Sequence, residues 1–325
     1  MQVVNATARR PAIGRLTPPV RGCALARPFV LRHMDAMSIT ARTAALDHLV
    51  LPTASLDAAR ARLGALGFTV APTGVHPFGT ANCCVYLADG TFLEPLAIAA
   101  AGACAAAVAG GNVFVARDHA FRAAWGDDGF SAIVLTSTDA AADHAAFLAE
   151  AISAGDMLTF SRPFQDASGN SDTASFRLAF AAAPGTAPFV FTCERVDAPN
   201  VERSALERHA NGASAILAVT VVAADPGAAA GFFAAATDAE GRADIDGVRF
   251  PLAGGEVVIR DPGADEPPVR AAAFAYRAIV FAVADLSATR AILEANGIGF
   301  DASDIAITVA PAPGQGATFI FEERA

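Results

Sequence analysis

The chain has no lysine. All 23 of its basic residues are arginine, they are outnumbered by 33 acids, and the formal net charge is −10. An acidic chain without a basic run excludes nucleic acid and an anionic membrane surface as partners. Long apolar runs are missing as well. The longest, Ala97 to Gly111, is shorter than the roughly 20 residues a membrane span needs. It is mostly alanine and glycine and reads as a linker or a loose helix. Cysteine is sparse: Cys23, Cys83, Cys84, Cys104 and Cys193 are an odd number without C-x-x-C spacing. That excludes a disulfide framework and suits reduced thiols in the cytoplasm. No serine elbow, glycine-rich dinucleotide loop or P-loop follows a strand, so no nucleotide cofactor is expected.

What is present is a long, apolar chain. Its 325 residues are 54% hydrophobic, enough to bury the cores of two ordinary domains and far from a disordered composition. The start is different. Met1 to Arg32 carries six arginines, no acid, and prolines at 11, 18, 19 and 28. It has the composition of a transit peptide without its amphipathic helix, because proline interrupts it. It also reads as an upstream start, with Met34 or Met37 as the true one. Residues 1–44 are expected to be disordered and to stand outside the fold.

A repeat runs through the rest. Asp47 to Phe68 aligns without a gap on Arg277 to Ile298, matching Leu56 with Leu286, Arg60 with Arg290, Leu63 with Leu293 and Gly67 with Gly297. Each copy reads as an apolar strand, a capped helix of about three turns, and a glycine fit for the left-handed residue after a helix. Ser55 and Asp285 are the expected N-caps. Weaker copies start at Ser131, capped by Asp139, and at Ala218, capped by Asp225 with Pro226 at the first helical position. Two or three short strands with turn chemistry follow each copy. The fold class is therefore α+β: four βαβββ modules forming two halves, with curved mixed sheets and helices outside. The boundaries are residues 45–197 for the first half, 198–211 for a connection and 212–325 for the second half. Inward-facing strand residues would line a cup suited to a small molecule.

Four such modules, with DHLVL on the first strand, resemble the vicinal oxygen chelate superfamily, and in particular its glyoxalase-like branch. HPFGTAN (His76 to Asn82), DGTFLEPL (Asp89 to Leu96) and RHANGA (Arg208 to Ala213) carry the closer likeness. The resemblance implies a divalent metal (Fe, Mn, Ni or Zn) bound by a histidine on a module's first strand and a glutamate on its last, here His48 and Glu94. It further implies metal-dependent lyase, isomerase or dioxygenase chemistry on a small molecule with adjacent oxygens, or metal-free sequestration as in resistance proteins. Modules of this kind also pair across chains, which would make a homodimer.

The residues themselves point to the same pair. Strand side chains alternate, so Leu46, His48 and Val50 should share one face, and Phe92, Glu94 and Leu96 another. Two polar groups among apolar neighbours need a partner, because an unsatisfied one costs about 1–3 kcal/mol. A metal would satisfy them, and so would a direct His48–Glu94 contact. The positions matching His48 in the other modules are Ala132, Ala218 and Ala278, and those matching Glu94 on two last strands are Phe191 and Phe321. Further ligands would have to come from loops, with His76 and His209 as candidates. His76 is also a candidate for proton transfer with Glu94. Asn82, Asn211 and Cys193 are candidates for contacting substrate.

Overall fold

The computed structural model describes residues 44–165, 171–197, 203–263, 266, 269 and 274–324. The expected disordered extension therefore lies outside the described residues except for Ala44, as does part of the connection.

The first half begins with β1 (Leu46–Pro52), α1 (Leu56–Ala65), β2 (Gly74–Val75), β3 (Thr80–Asn82), β4 (Val85–Tyr86) and β5 (Phe92–Ile98). Two helices follow, α2 (Ala101–Ala109) and α3 (Val113–Trp125). The half closes with β6 (Ala132–Ser137), α4 (Ala140–Ala149), β7 (Leu158–Gln165), β8 (Ser171–Ala181) and β9 (Phe189–Asp197). Its strands form one mixed sheet in the order β2-β3-β5-β1-β6-β9-β8-β7, with β4 paired to β5. The opening strands β1 and β6 meet antiparallel at the centre, and each pairs parallel with its own module's last strand.

The second half repeats the plan. It comprises β10 (Ala213–Ala223), α5 (Pro226–Thr237), β11 (Arg242–Asp244), β12 (Gly247–Leu252), β13 (Gly255–Arg260), β14 (Phe274–Val283), α6 (Leu286–Ala295), β15 (Asp301–Ala302), β16 (Ala306–Val309) and β17 (Thr318–Glu323). Its sheet runs β11-β12-β13-β10-β14-β17-β16-β15, again with the opening strands antiparallel at the centre. The architecture is thus α+β, with paired modules in two mixed sheets.

Local chemistry places the helices. Ser55, Asp139, Asp225 and Asp285 each accept hydrogen bonds from first-turn backbone N–H groups, and Pro226 sits at the helix start. Gly67 and Gly297 both adopt left-handed backbone, at φ +87° and +67°, where a Cβ would be strained. The alanine-rich tract is a helix rather than a linker: Ala101–Ala109 forms α2, with Cys104 buried. With α3 it covers the concave side of the first sheet, where Phe114, Val115 and Cys104 join Val134, Leu178 and Phe191 in a second, smaller core.

The main core lies on the other side of both sheets and is shared between the halves. Leu49, Leu63 and Phe68 of the first half belong to the same cluster as Val219, Phe281 and Phe319 of the second.

The register corrects two expectations. Leu46 does not share a face with His48. A β-bulge between them pairs Leu46 with Leu135 and His48 with Val134, leaving Asp47 as the extra residue, and Leu46 packs in the main core. On β17, the position matching Glu94 is Ile320 and not Phe321. Ala278 pairs with Thr318, so Ile320 falls opposite Val280 as Glu94 falls opposite Val50. Phe321 lies on the helix-covered side. Phe191 does occupy the matching place on β9, opposite Val134.

Candidate functional site

The cup of the first half holds a pocket lined by His48, His76, Asn82, Glu94 and a ring of aromatic side chains. Its polar centre is a chain of buried side chains from β1, β5 and the turn before β3. The bulge on β1 creates the first link. It brings Asp47 next to His48, and His48 Nδ1 lies 2.6 Å from Asp47 Oδ1. Bulges re-aim side chains next to functional sites in this way. Arg195 on β9 grips the same carboxylate through both terminal nitrogens, at 2.5 and 2.8 Å, and Thr136 donates to it at 3.2 Å.

Beyond His48 the chain continues to Glu94. His48 Nε2 lies 3.4 Å from Glu94 Oε2, and His76 Nε2 lies 3.6 Å from Glu94 Oε1. Asn82 donates to Glu94 Oε1 at 2.6 Å. His76 is held from behind, its Nδ1 2.8 Å from the Thr80 hydroxyl. The turn that presents it depends on Gly79, at φ +95°, where an added Cβ would come within 2.7 Å of the Ala100 carbonyl oxygen. His48, His76, Asn82 and Glu94 are all less than 10% exposed.

These contacts set the charges. Burial alone would push Asp47 up, but its bonds to His48 and Arg195 hold it well below the usual carboxylate range. Burial likewise opposes the charged form of His48, and the carboxylates of Asp47 and Glu94 overcome it, so His48 is raised. Glu94 is held down to about 2, because His48, His76 and Asn82 outweigh its burial. His76 goes the other way, to about 4, since burial outweighs the pull of Glu94. The centre is therefore an ionised Glu94 between a His48 that favours its proton and a neutral His76.

The walls are aromatic. Phe92 stacks on the His48 ring at 4.3 Å and Phe78 on the His76 ring at 5.0 Å. Phe114, Phe160, Phe176 and Phe191 complete the apolar side. Cys193 faces the pocket, and burial pushes its thiol up to about 12, so it offers a soft neutral contact and not a nucleophile. Burial and neighbouring charge also raise the Cys84 thiol and the Tyr86 hydroxyl at the rim.

The pocket thus gathers His48, His76, Asn82, Glu94 and Cys193, but not His209 or Asn211. His209 accepts from the Thr69 backbone N–H at Nδ1, 3.0 Å, and its Nε2 lies 2.9 Å from the Tyr86 carbonyl. Both ring nitrogens are engaged, which leaves no lone pair for a metal. Asn211 is fully buried, donates to Leu66 O at 2.8 Å and accepts from Ala213 N at 3.0 Å. It joins the end of α1 to the start of β10. Sequence reasoning missed Asp47, Tyr86 and the arginines Arg162, Arg195 and Arg203. Only Asp47 had a signal, an acid beside the histidine in an apolar strand. The arginines arrive from distant strands and from the connection.

The donor types at the centre suit a divalent cation. Two imidazole Nε2 atoms and a carboxylate are the ligand set of borderline first-row metals, and an Nδ1 anchored from behind is the support that ligating histidines have. The three side chains meet in pairs through Glu94. Among the described residues no group of three or more His, Cys, Asp or Glu is placed so that it could hold a metal ion without rearrangement.

A family profile described as a glyoxalase-like domain matches residues 46–237, more than half of the chain. No protein of curated function matches. Among solved structures, a hypothetical protein from Staphylococcus aureus is similar with a TM-score of 0.61 and 14% identity, over 86% of this chain and 100% of that one. A variant of 4-hydroxymandelate synthase from Streptomyces coelicolor is similar with a TM-score of 0.56 and 13% identity, over 87% of this chain and 93% of that one. At such identities the likeness is one of fold.

Proposed function

Because the chain belongs to the glyoxalase-like domain family, we propose that the first-half pocket is the site of a metal-dependent enzyme acting on a small molecule. Its reaction would be of the lyase, isomerase or dioxygenase type. His48, His76 and Glu94 would hold the cation, which is Fe, Mn, Ni or Zn by donor type. One observation carries the reading: two imidazole Nε2 atoms face the two oxygens of a single buried carboxylate, and each ring is anchored at Nδ1. When bound, such a cation supplies Lewis-acid polarisation of a substrate oxygen.

The chain's own residues do the rest. Asp47, locked by Arg195, fixes the His48 ring through Nδ1 and aims Nε2 at Glu94. Asn82 orients Glu94. Glu94 stays ionised at neutral pH and His76 stays neutral, the charge states in which a carboxylate and an imidazole can ligate a cation. The phenylalanines exclude water around them.

A metal-free binding protein is the second reading. It is favoured by Glu94, whose two oxygens already have protein neighbours, and by the aliphatic Ala218, Val258, Ala278 and Ile320 at the matching places of the second half.

Elemental analysis of protein purified without a chelating tag separates the two. The expected result is about one ion per chain in wild type, lost in His48→Ala, His76→Ala and Glu94→Ala. Metal-free wild type after reconstitution with each ion would reject metal dependence and leave the binding reading.

A further inference from the structure

The pocket wall carries more positive charge than the His48 cluster engages. Arg162 from β7, Arg195 from β9 and Arg203 from the connection all line it. Arg195 is neutralised by Asp47. Arg162 and Arg203 have no carboxylate partner among the described residues, and both are half-buried.

Instead, each guanidinium lies over a ring. Arg162 is 6.0 Å from the Phe176 centroid and Arg203 is 4.7 Å from the Tyr86 centroid. A guanidinium held over a ring by its charge keeps N–H donors for a ligand. The two charges also act on one place, since both draw on the Tyr86 hydroxyl. The same pocket is lined by the rings of Phe78, Phe114, Phe160 and Phe191. The pocket therefore combines two cations that have no carboxylate partner among the described residues with flat apolar walls.

From this juxtaposition we infer that the pocket's ligand is an organic oxyanion with a flat apolar body, its head group taken by Arg162 and Arg203 and its body by the phenylalanines. A cation would meet two uncompensated charges, and a neutral ligand would desolvate them without a partner. An oxyanion offers both forks a charge-assisted acceptor. The inference rests on the pocket being a small-molecule site and names the class of molecule. It does not depend on whether a metal is present.

Calorimetric titration of the full chain tests it. Phenylacetate, 1-naphthoate and phenyl phosphate serve as probes, the two acids paired with their neutral amides and the phosphate with phenol. The acids should bind at least about tenfold more tightly than their amides. Arg162→Gln and Arg203→Gln should each remove most of that preference while leaving amide binding and the thermal midpoint unchanged. Stronger binding of phenyl phosphate than of the carboxylates would assign a phosphoryl head group, and the reverse a carboxylate. Equal binding of acid and amide, wild-type affinity in both arginine variants, or no binding of any acid would overturn the inference. Two controls keep it apart from the metal reading. Acid binding retained by metal-free His48→Ala supports the oxyanion site alone. Acid selectivity absent from a wild type that carries metal leaves the metal reading intact and removes this one.

Discussion

Single residues decide what this pocket can do, and two histidines illustrate the range. His48 sits where an acid precedes it and a bulge turns that acid inward, so burial works in favour of a fixed, hydrogen-bonded ring. His209 was, with His76, a loop candidate by sequence, since it lies in a polar, glycine-containing stretch. The fold instead uses it as a backbone bracket between Thr69 and Tyr86. Its burial lowers its affinity for a proton below the ordinary 6.5. The folded state therefore favours the neutral ring, and the unfolded state binds more protons as pH falls below about 6.5. That contribution to stability is complete above this pH and is lost below it. His76, held down to about 4, acts with the same sign, so the comparison has to be made between proteins. His209→Ala should be less stable than wild type at pH 7.5, and its urea midpoint should fall less steeply between about pH 7 and 5. Parallel pH profiles would contradict this role for His209.

At the scale of elements, the helices that follow β5 give the first half its closed cup. The second half has no described equivalent between β13 and β14. Helix α3 is capped by Asn112 and inserts Phe114, which is 4% exposed and within 6.1 Å of the rings of His76, Phe78 and Phe191. Phe114→Ala should destabilise the protein by about 3 kcal/mol, the lower end of the range for a buried phenylalanine because the cavity it leaves joins an open pocket. Chemical denaturation would measure the loss, and binding of the aryl acids should weaken in parallel. A change below about 1 kcal/mol would mean that α3 is only loosely docked. The repeat, the caps and the succession of strand and helix in each module were legible in the sequence, since they depend on local periodicity and cap chemistry. The covering role of α2 and α3 was not, because an alanine-rich helix carries little amphipathic signal. The bulge on β1 was hidden for a related reason: a single extra residue shifts the alternation without changing the composition.

For the whole molecule, the consequence of a shared core is cooperativity. The ring of Phe68 lies 5.4 Å from Phe281 and 6.1 Å from both Phe319 and Phe321. Across the same boundary, the Tyr276 hydroxyl donates to Phe189 O at 2.8 Å and Leu46 N donates to Ala253 O at 3.1 Å. Halves that bury one another's apolar surface should unfold together. Scanning calorimetry is expected to give one transition for wild type and one, at lower temperature, for Phe68→Ala. Two resolved transitions in wild type would mean that the halves are independent.

The sequence by itself determined the repeat, the α+β class and the pairing of His48 with Glu94. Each follows from periodicity, caps and composition, which act over a few residues at a time. Only the tertiary structure decided which loop histidine joins that pair, that Asp47 and Arg195 stand behind it, and that Arg162 and Arg203 reach the pocket without carboxylate partners among the described residues. Those are relations between residues as much as 148 positions apart. Strand register and side-chain direction set them, and no local pattern encodes which distant charges a fold will bring to one cup.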